Sequence, residues 1–318
     1  MSEYAPVLAA GRLKEGGSHQ KARAPHPMGK GTRASENQPA VAITDHGAMF
    51  GVIDFYRECL KNDIKPVIGC EVYTAARGML NKDSDKDKRQ GHLVLLAKNN
   101  AGYQNLIKIV SEGYTKGFYY KPRIDKGLLR QHSEGLIGLS ACLAGRIPRL
   151  LTGGDYDRAR QIAQKYVKIF GKDNFFIELQ NHGIAEQRQI LPELYSLARE
   201  LGLGVVATND VHYLERADAN TQATLMCIQT NNLVSDGRPF GFETDEFYFK
   251  SAEEMKVLFA PFKDAVANTV KIAEKCNFDF EFDKLYLPNF EPEGGLTHKE
   301  KLSLDAERGF EKKISDGA

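Results

Sequence analysis

The 318 residues are 42% hydrophobic and 27% charged, with 43 basic groups against 42 acidic ones for a formal net charge of +1. That balance suits a chain able to bury a core and excludes a globally basic footprint, so any contact with nucleic acid has to be local. No apolar stretch approaches the ~20 residues of a spanning helix, no secretory pattern opens the chain, and the five cysteines are scattered without a CxxC pair. The expectation is a cytoplasmic protein with no disulfide framework and no membrane partner.

Residues 1–39 are rich in Gly, Ala, Pro, Arg and Lys, contain no Ile or Phe, and show no sustained apolar period. Such composition buries little surface, and 1–38 is expected to be an atypical, disordered segment. From there the pattern alternates: strand 40–45, helix 49–62, strand 66–75, a charged excursion over 80–91 expected to be a solvated loop, strand 92–98 and helix 101–113. Strand 135–141, helix 155–170, strand 175–181, helix 185–202, strand 204–210 and helix 217–229 follow. In 185–202, Ile190, Leu194, Leu197 and Leu201 keep helical spacing and Gly202 marks the stop. Strand 246–250 and helices 252–259 and 263–276 close the ordered region, expected to span 39–285. The remainder, 286–318, reads as a Pro/Gly-rich linker and a charged helix opening a further region. Repeated strand–helix units imply a mainly parallel α/β sheet, with a barrel or a doubly wound sheet as the outcomes.

Side chains that bind metals sit at the ends of these apolar runs. His46 follows 40–45, Glu71 follows 66–70, Cys142 follows 136–141, Asp210 and His212 follow 204–209, and His92 opens 93–97. In a barrel the strand ends of one face converge, so residues distant in sequence become neighbours. Imidazole and thiolate favour Zn²⁺ and related ions, while carboxylates also accept Mn²⁺ or Mg²⁺. Two ions so held would suit phosphoester hydrolysis. Each residue also has a plain structural reading: His46 in a turn, Glu71 on a strand edge, Cys142 in the core. Asp210 and His212, two apart on one strand face, are the hardest to read that way.

The segments TDHGAMFGVIDFY (44–56), IKPVIGCEVY (64–73), HLVLLAKNNAGYQNL (92–106), GLIGLSACLAG (135–145), ELQNHG (178–183), VVATNDVHYL (205–214) and ETDEFYFKSAEEM (243–255) resemble the polymerase-and-histidinol-phosphatase (PHP) domain. They are most similar to the version that opens bacterial DNA polymerase III α subunits, over roughly residues 39–290. The resemblance implies a distorted (β/α)7 barrel followed by a short helical linker. It also implies up to three metal ions, with ligands at His46, Glu71, His92, Cys142, Asp210 and His212, and hydrolytic roles for Glu71, Asp210 and His212. The family's first motif, an HxH strand and loop with an Asp, is not found: His19 and His26 are not so spaced, and no Asp precedes Asp45. The expectation is therefore a barrel without a regular first strand, holding Zn²⁺ or Mn²⁺ (Mg²⁺ as a further option) in fewer than three positions, with impaired hydrolysis.

The segment 116–130 interleaves Tyr119 and Tyr120 with Lys116, Lys121 and Arg123, a pattern that suits single-stranded nucleic acid as well as it suits a folded surface loop. The resemblance implies DNA as partner, either a single-stranded 3′ end or a primer-template. It further implies the rest of a polymerase chain and replisome subunits such as a proofreading exonuclease or a sliding clamp. Three functions follow: a polymerase module with 3′→5′ exonuclease ancestry, a non-catalytic scaffold of that polymerase, or a free-standing phosphoesterase.

Overall fold

The computed structural model describes residues 38–234, 241–285, 287 and 289–317. The segment expected to be atypical, up to residue 37, lies outside them. Two compact units divide the chain, one up to Phe278 and the other Asp279–Ala318.

The first unit is built on an eight-stranded sheet. Its strands are β1 (Ala40–Ile43), β2 (Lys65–Thr74), β3 (Gly91–Ala97), β4 (Phe118–Tyr119), β5 (Lys121–Ile124), β6 (Leu136–Leu139), β7 (Phe175–Leu179) and β8 (Gly204–Ala207). The order is β4-β5-β2-β3-β6-β7-β8, with β1 also on β2. The β1/β2, β2/β5, β6/β7 and β7/β8 pairs are parallel, but β3 runs antiparallel to both β2 and β6. This departs from the expected parallel sheet and has a simple cause: no helix separates β2 from β3, so the chain returns without a crossover. It also explains why His92 stands near the start of its strand, while Glu71, expected to follow its run, lies in the later part of β2, and His46, Cys142, Asp210 and His212 follow β1, β6 and β8. A reversed strand brings its first residue to the face where its neighbours end.

Alternation along each strand divides the core. The outward residues Leu93, Leu95, Phe175, Ile177, Leu179, Val205 and Ala207 share one apolar cluster with Leu106 and Ile109, Ile162 and Tyr166, and Ile190 and Leu194. Those last three pairs come from the helices α2 (Asn100–Thr115), α5 (Tyr156–Phe170) and α6 (Ala185–Leu201). The inward residues Ala40, Ala42, Val67, Val94, Leu96, Leu139, Phe176 and Val206 form a second cluster with Ile272, Ala273 and Cys276. Period-two burial on both faces is what a sheet curled inside a layer of helices requires.

Among the described residues the sheet does not close into a ring: β1 pairs with β2 and β8 with β7. The free edge of β8 is covered instead, Ala207 N–H donating to Ala265 O (2.9 Å) and Asn268 Nδ2 to Val205 O (2.7 Å). Covering an edge in this way removes its unpaired backbone groups from further pairing. The expected strand 246–250 is reduced to a single bridge, Tyr213 with Tyr248.

Three elements have no counterpart in the expected set: the β4/β5 hairpin, α3 (Lys126–Gln131) and α4 (Arg146–Thr152). All are short, below the length at which an apolar period can be read. The excursion over 80–91 is not simply solvated. Asp87 is fully buried and accepts from Arg77 Nε (2.9 Å) and from Asp83 N–H (3.0 Å). In the second unit, α10 (His298–Ser315) starts at Thr297 in a reciprocal cap with Glu300 and buries no residue.

Candidate metal centre

The strand register assembles the site. Beyond Ile43 the chain keeps pairing with β2, Glu71 N–H donating to Asp45 O (3.0 Å) and Gly47 N–H to Glu71 O (2.9 Å), which sets His46 beside Glu71. Gly47 has φ +65°, and a Cβ there would press on the Tyr73 ring at 2.9 Å, so both its conformation and the close approach demand glycine. On the other side of β2, Tyr73 lies opposite His92, which makes His92 a diagonal neighbour of Glu71.

The result is a tight cluster. His46 Nε2 lies 3.5 Å from Glu71 Oε2, and His92 Nδ1 contacts Glu71 Oε1 directly. One donor atom from each of His46, Glu71 and His92 falls within 4.8 Å of the others. Cys142 Sγ stands 3.6 Å from His92 Nδ1 and 3.8 Å from Glu71 Oε1. Asp210 and His212 form a second pair, His212 Nε2 to Asp210 Oδ1 at 3.4 Å, linked to the first cluster by the His46 and His212 rings at 6.3 Å. All six candidates therefore lie at one end of the sheet.

The donor chemistry fits a divalent cation. His212 Nδ1 is buried with no hydrogen-bond partner, an arrangement costly for a ring nitrogen unless something else binds it. Imidazole, carboxylate and thiol at these spacings are a set that Zn²⁺ or Mn²⁺ accepts. Burial resists ionisation of Asp210, but the imidazoles of His212, His182 and His46 outweigh it and hold this carboxyl well below the usual range. Burial pushes the Cys142 thiol up, with Glu71 and Asp210 adding to the effect.

Three residues that sequence reasoning did not select complete the surroundings. Glu178, Gln180 and His182 alternate along the end of β7 and beyond it, and all are buried. Burial raises the Glu178 carboxyl to about 7, opposed by hydrogen bonds from Thr208 and Gln180 and reinforced by Glu71 and Asp210. The signal available was the period-two spacing of these polar residues in ELQNHG, a strand face that ought to be apolar if it only packed.

The aromatic and basic candidates separate. Lys121 Nζ lies 5.5 Å from the centre of the Tyr73 ring, whose edge meets His92 at 5.2 Å between centroids. Tyr120, 58% exposed and at φ +61°, packs edge-on against Tyr119 at 4.7 Å. Lys116 is exposed and paired with Glu112 at 3.1 Å. Arg123 is different: it is fully buried and donates to the carbonyls of Gly117, Asp87, Met79 and Asn81 at 2.8–3.1 Å. That fork ties the 78–90 segment to the hairpin, so it does not present a cation to a ligand.

Gly145 gives the first expected result. A Cβ there would stand 2.2 Å from Ser140 O and 2.9 Å from Cys142 O, so Gly145→Ala must displace the turn that carries Cys142. A loss of about 1–3 kcal/mol in stability is expected from such overpacking. Thermal melting and cation titration should both report it, and an unchanged melting temperature would show that the turn yields freely.

Residues 32–182 match the PHP domain. The chain is 47% identical over 247 residues to the DNA polymerase III subunit alpha of Treponema pallidum, covering 77% of this chain and 21% of that protein. The like-named proteins of Borreliella burgdorferi and Thermus aquaticus are 46% identical over 257 residues and 42% identical over 272, covering 80% and 83% of this chain and 22% of each relative. The chain thus spans about a fifth of the length of the relatives it matches. Among solved structures, an amidohydrolase from Chromobacterium violaceum aligns at a TM-score of 0.42 with 12% identity, over 65% of this chain and 88% of that one.

Proposed function

We propose that the chain, whose residues 32–182 match the PHP domain, is the metal-binding N-terminal module of a bacterial replicative DNA polymerase α subunit. The observation that carries the reading is the convergence of His46, Glu71, His92 and Cys142, with Asp210 and His212 beside them, at one end of the curled sheet. Zn²⁺ or Mn²⁺, with Mg²⁺ as the harder alternative, is the cation this mixed set favours. A bound cation there would polarise a phosphoester and lower the pKa of water.

The protein's own residues would do the rest. Glu71 would orient both imidazoles, while Asp210 and His212 would sit where a proton could be exchanged with the reacting phosphate. Lys121 over Tyr73, whose ring packs on His92, would hold a phosphate approaching the cluster. Tyr120, with Tyr119 behind it and Lys116 further out, would stack bases of a single-stranded 3′ end. The remaining length of the polymerase and its replisome partners, such as a proofreading exonuclease or a sliding clamp, would be contacted from elsewhere on the module. No helix among the described residues is long and apolar enough to cross a membrane.

A second reading is a scaffold of the polymerase with weak or no hydrolysis. The deciding experiment supplies Mn²⁺ and a 5′-labelled single-stranded oligonucleotide, with a small phosphomonoester in parallel. Stepwise shortening of the oligonucleotide that is lost in Asp210→Asn supports the exonuclease reading. Bound metal without cleavage favours the scaffold, and cleavage of the monoester alone favours a free-standing phosphoesterase.

A further inference from the structure

Of the strands β1, β2, β3, β6, β7 and β8, only β7 brings no candidate ligand to the centre. Yet β7 lies between β6, which leads to Cys142, and β8, which leads to Asp210 and His212. Its tip is polar and buried, and Glu178 and His182 there hydrogen-bond to those two neighbours.

Glu178 is the core of this arrangement. One carboxylate oxygen, Oε2, accepts from Ala141 N–H at 2.9 Å. The other, Oε1, accepts from Thr208 Oγ1 at 2.5 Å and from Gln180 Nε2 at 2.9 Å. Its own backbone N–H donates to Ser140 Oγ at 2.8 Å. Ala141, directly before Cys142, stands at φ +63°, a left-handed conformation that costs a residue with a side chain about 1–2 kcal/mol and persists only where neighbours hold it.

Four residues on, His182 repeats the pattern on the other side. It is fully buried and stacks on Phe247 with ring centroids 4.0 Å apart. Its Nε2–H donates to Asn209 O at 2.8 Å, and its Nδ1 accepts from Gln187 Nε2 at 2.9 Å, so both nitrogens are occupied and one tautomer is fixed. Asp210, directly after that carbonyl, has φ +42°. Each of two candidate ligands, Cys142 and Asp210, is thus presented from a left-handed turn, and each turn is held by a buried side chain from β7 or the segment directly after it.

We propose that Glu178 and His182 are positioning residues, Glu178 fixing the Cys142 turn and His182 fixing the Asp210 turn, so that β7 sets the geometry of a centre it does not join. The inference rests on the metal reading for its purpose but not for its test. Residues that support ligands in this way commonly account for roughly 10- to 100-fold in metal affinity.

The test uses the full chain with Glu178→Met, Glu178→Gln and His182→Phe. Methionine keeps the length of Glu178 without its acceptors, glutamine keeps one acceptor, and phenylalanine keeps the stack on Phe247. The first readout needs no metal: the rate at which a disulfide reagent labels Cys142 in chelator-treated protein, with labelled peptides identified by mass. Cys142 is half-buried and the other four cysteines are buried, so labelling is selective. Glu178→Met is expected to label roughly tenfold faster and Glu178→Gln at an intermediate rate, while His182→Phe stays within about twofold of the parent, because each clamp opens its own turn. The second readout is Co²⁺ titration. Glu178→Met should lose the near-ultraviolet thiolate-to-cobalt band, and His182→Phe should keep it with roughly tenfold weaker binding.

Equal labelling rates in all four proteins would overturn the inference whatever cobalt does. If Glu178→Met fails to fold, Glu178→Gln decides: a parental labelling rate there counts against the clamp. A parent chain that takes up no cobalt would overturn the metal reading and with it the role given to His182, with the labelling rates still deciding the role of Glu178.

Discussion

Arg123→Met is expected to lower the melting temperature by about 10 °C, more than substitution of any exposed residue. The guanidinium is buried and answers four backbone carbonyls, those of Gly117, Asp87, Met79 and Asn81. Methionine fills much of the volume but leaves those carbonyls unpaired, and each buried group left so costs about 1–3 kcal/mol before relaxation. Allowing for water entering the loop, a net loss of about 3–5 kcal/mol follows. A chain of this size shifts by about 2–4 °C for each kcal/mol. Lys116→Ala, at the end of the preceding helix, and Tyr120→Ala, in the hairpin turn, are at exposed positions and should each change stability by less than about 0.5 kcal/mol. The comparison also separates two ideas about the hairpin. Loss of oligonucleotide binding in Tyr120→Ala at unchanged stability would mark a contact surface, whereas loss only in Arg123→Met would mark a scaffold effect.

Glu71→Ala should remove bound metal almost completely, from one or more ions per chain to under about 0.1, because a ligand that touches its partners directly counts for more than the roughly 100-fold of a supporting residue. Glu71 is the hub of the cluster, contacting His46, His92 and Cys142 at once, and it is buried. Glu71→Gln keeps the shape but donates toward nitrogens that want an acceptor, so an intermediate content is expected. Elemental mass spectrometry of the purified proteins measures this directly. Stability gives a second readout: a cation at about 100 times its Kd stabilises the folded chain by about 2.7 kcal/mol. For a domain of this size that is about 5–10 °C in melting temperature. The rise on adding Zn²⁺ or Mn²⁺ should appear in the parent and vanish in Glu71→Ala. Equal metal content in both proteins would move the centre away from Glu71.

The chain itself determines a good deal of this. Apolar runs at 40–45, 66–75, 92–98, 175–181 and 204–210, separated by amphipathic stretches, suffice for an α/β sheet and for most of its helices, because period two and period 3.6 are properties of local sequence. The ligand types are equally local: TDHG, GCE, SACLAG and NDVH each put a coordinating side chain directly after a buried run. What only the tertiary structure decided is direction, register and support. The antiparallel course of β3 depends on the absence of a crossover between β2 and β3, and it brings His92 to the same end of the sheet as Glu71. The fate of Arg123 depended on where the 78–90 segment came to rest, since the same basic residue between aromatics can face a ligand or answer four carbonyls. Glu178 and His182 escaped selection because Glu178 interrupts its apolar run, with Leu179 after it, and His182 lies beyond the end of β7. Their part comes from hydrogen bonds to β6 and β8 across spans of 27–37 residues, and no local pattern encodes a partner at that distance.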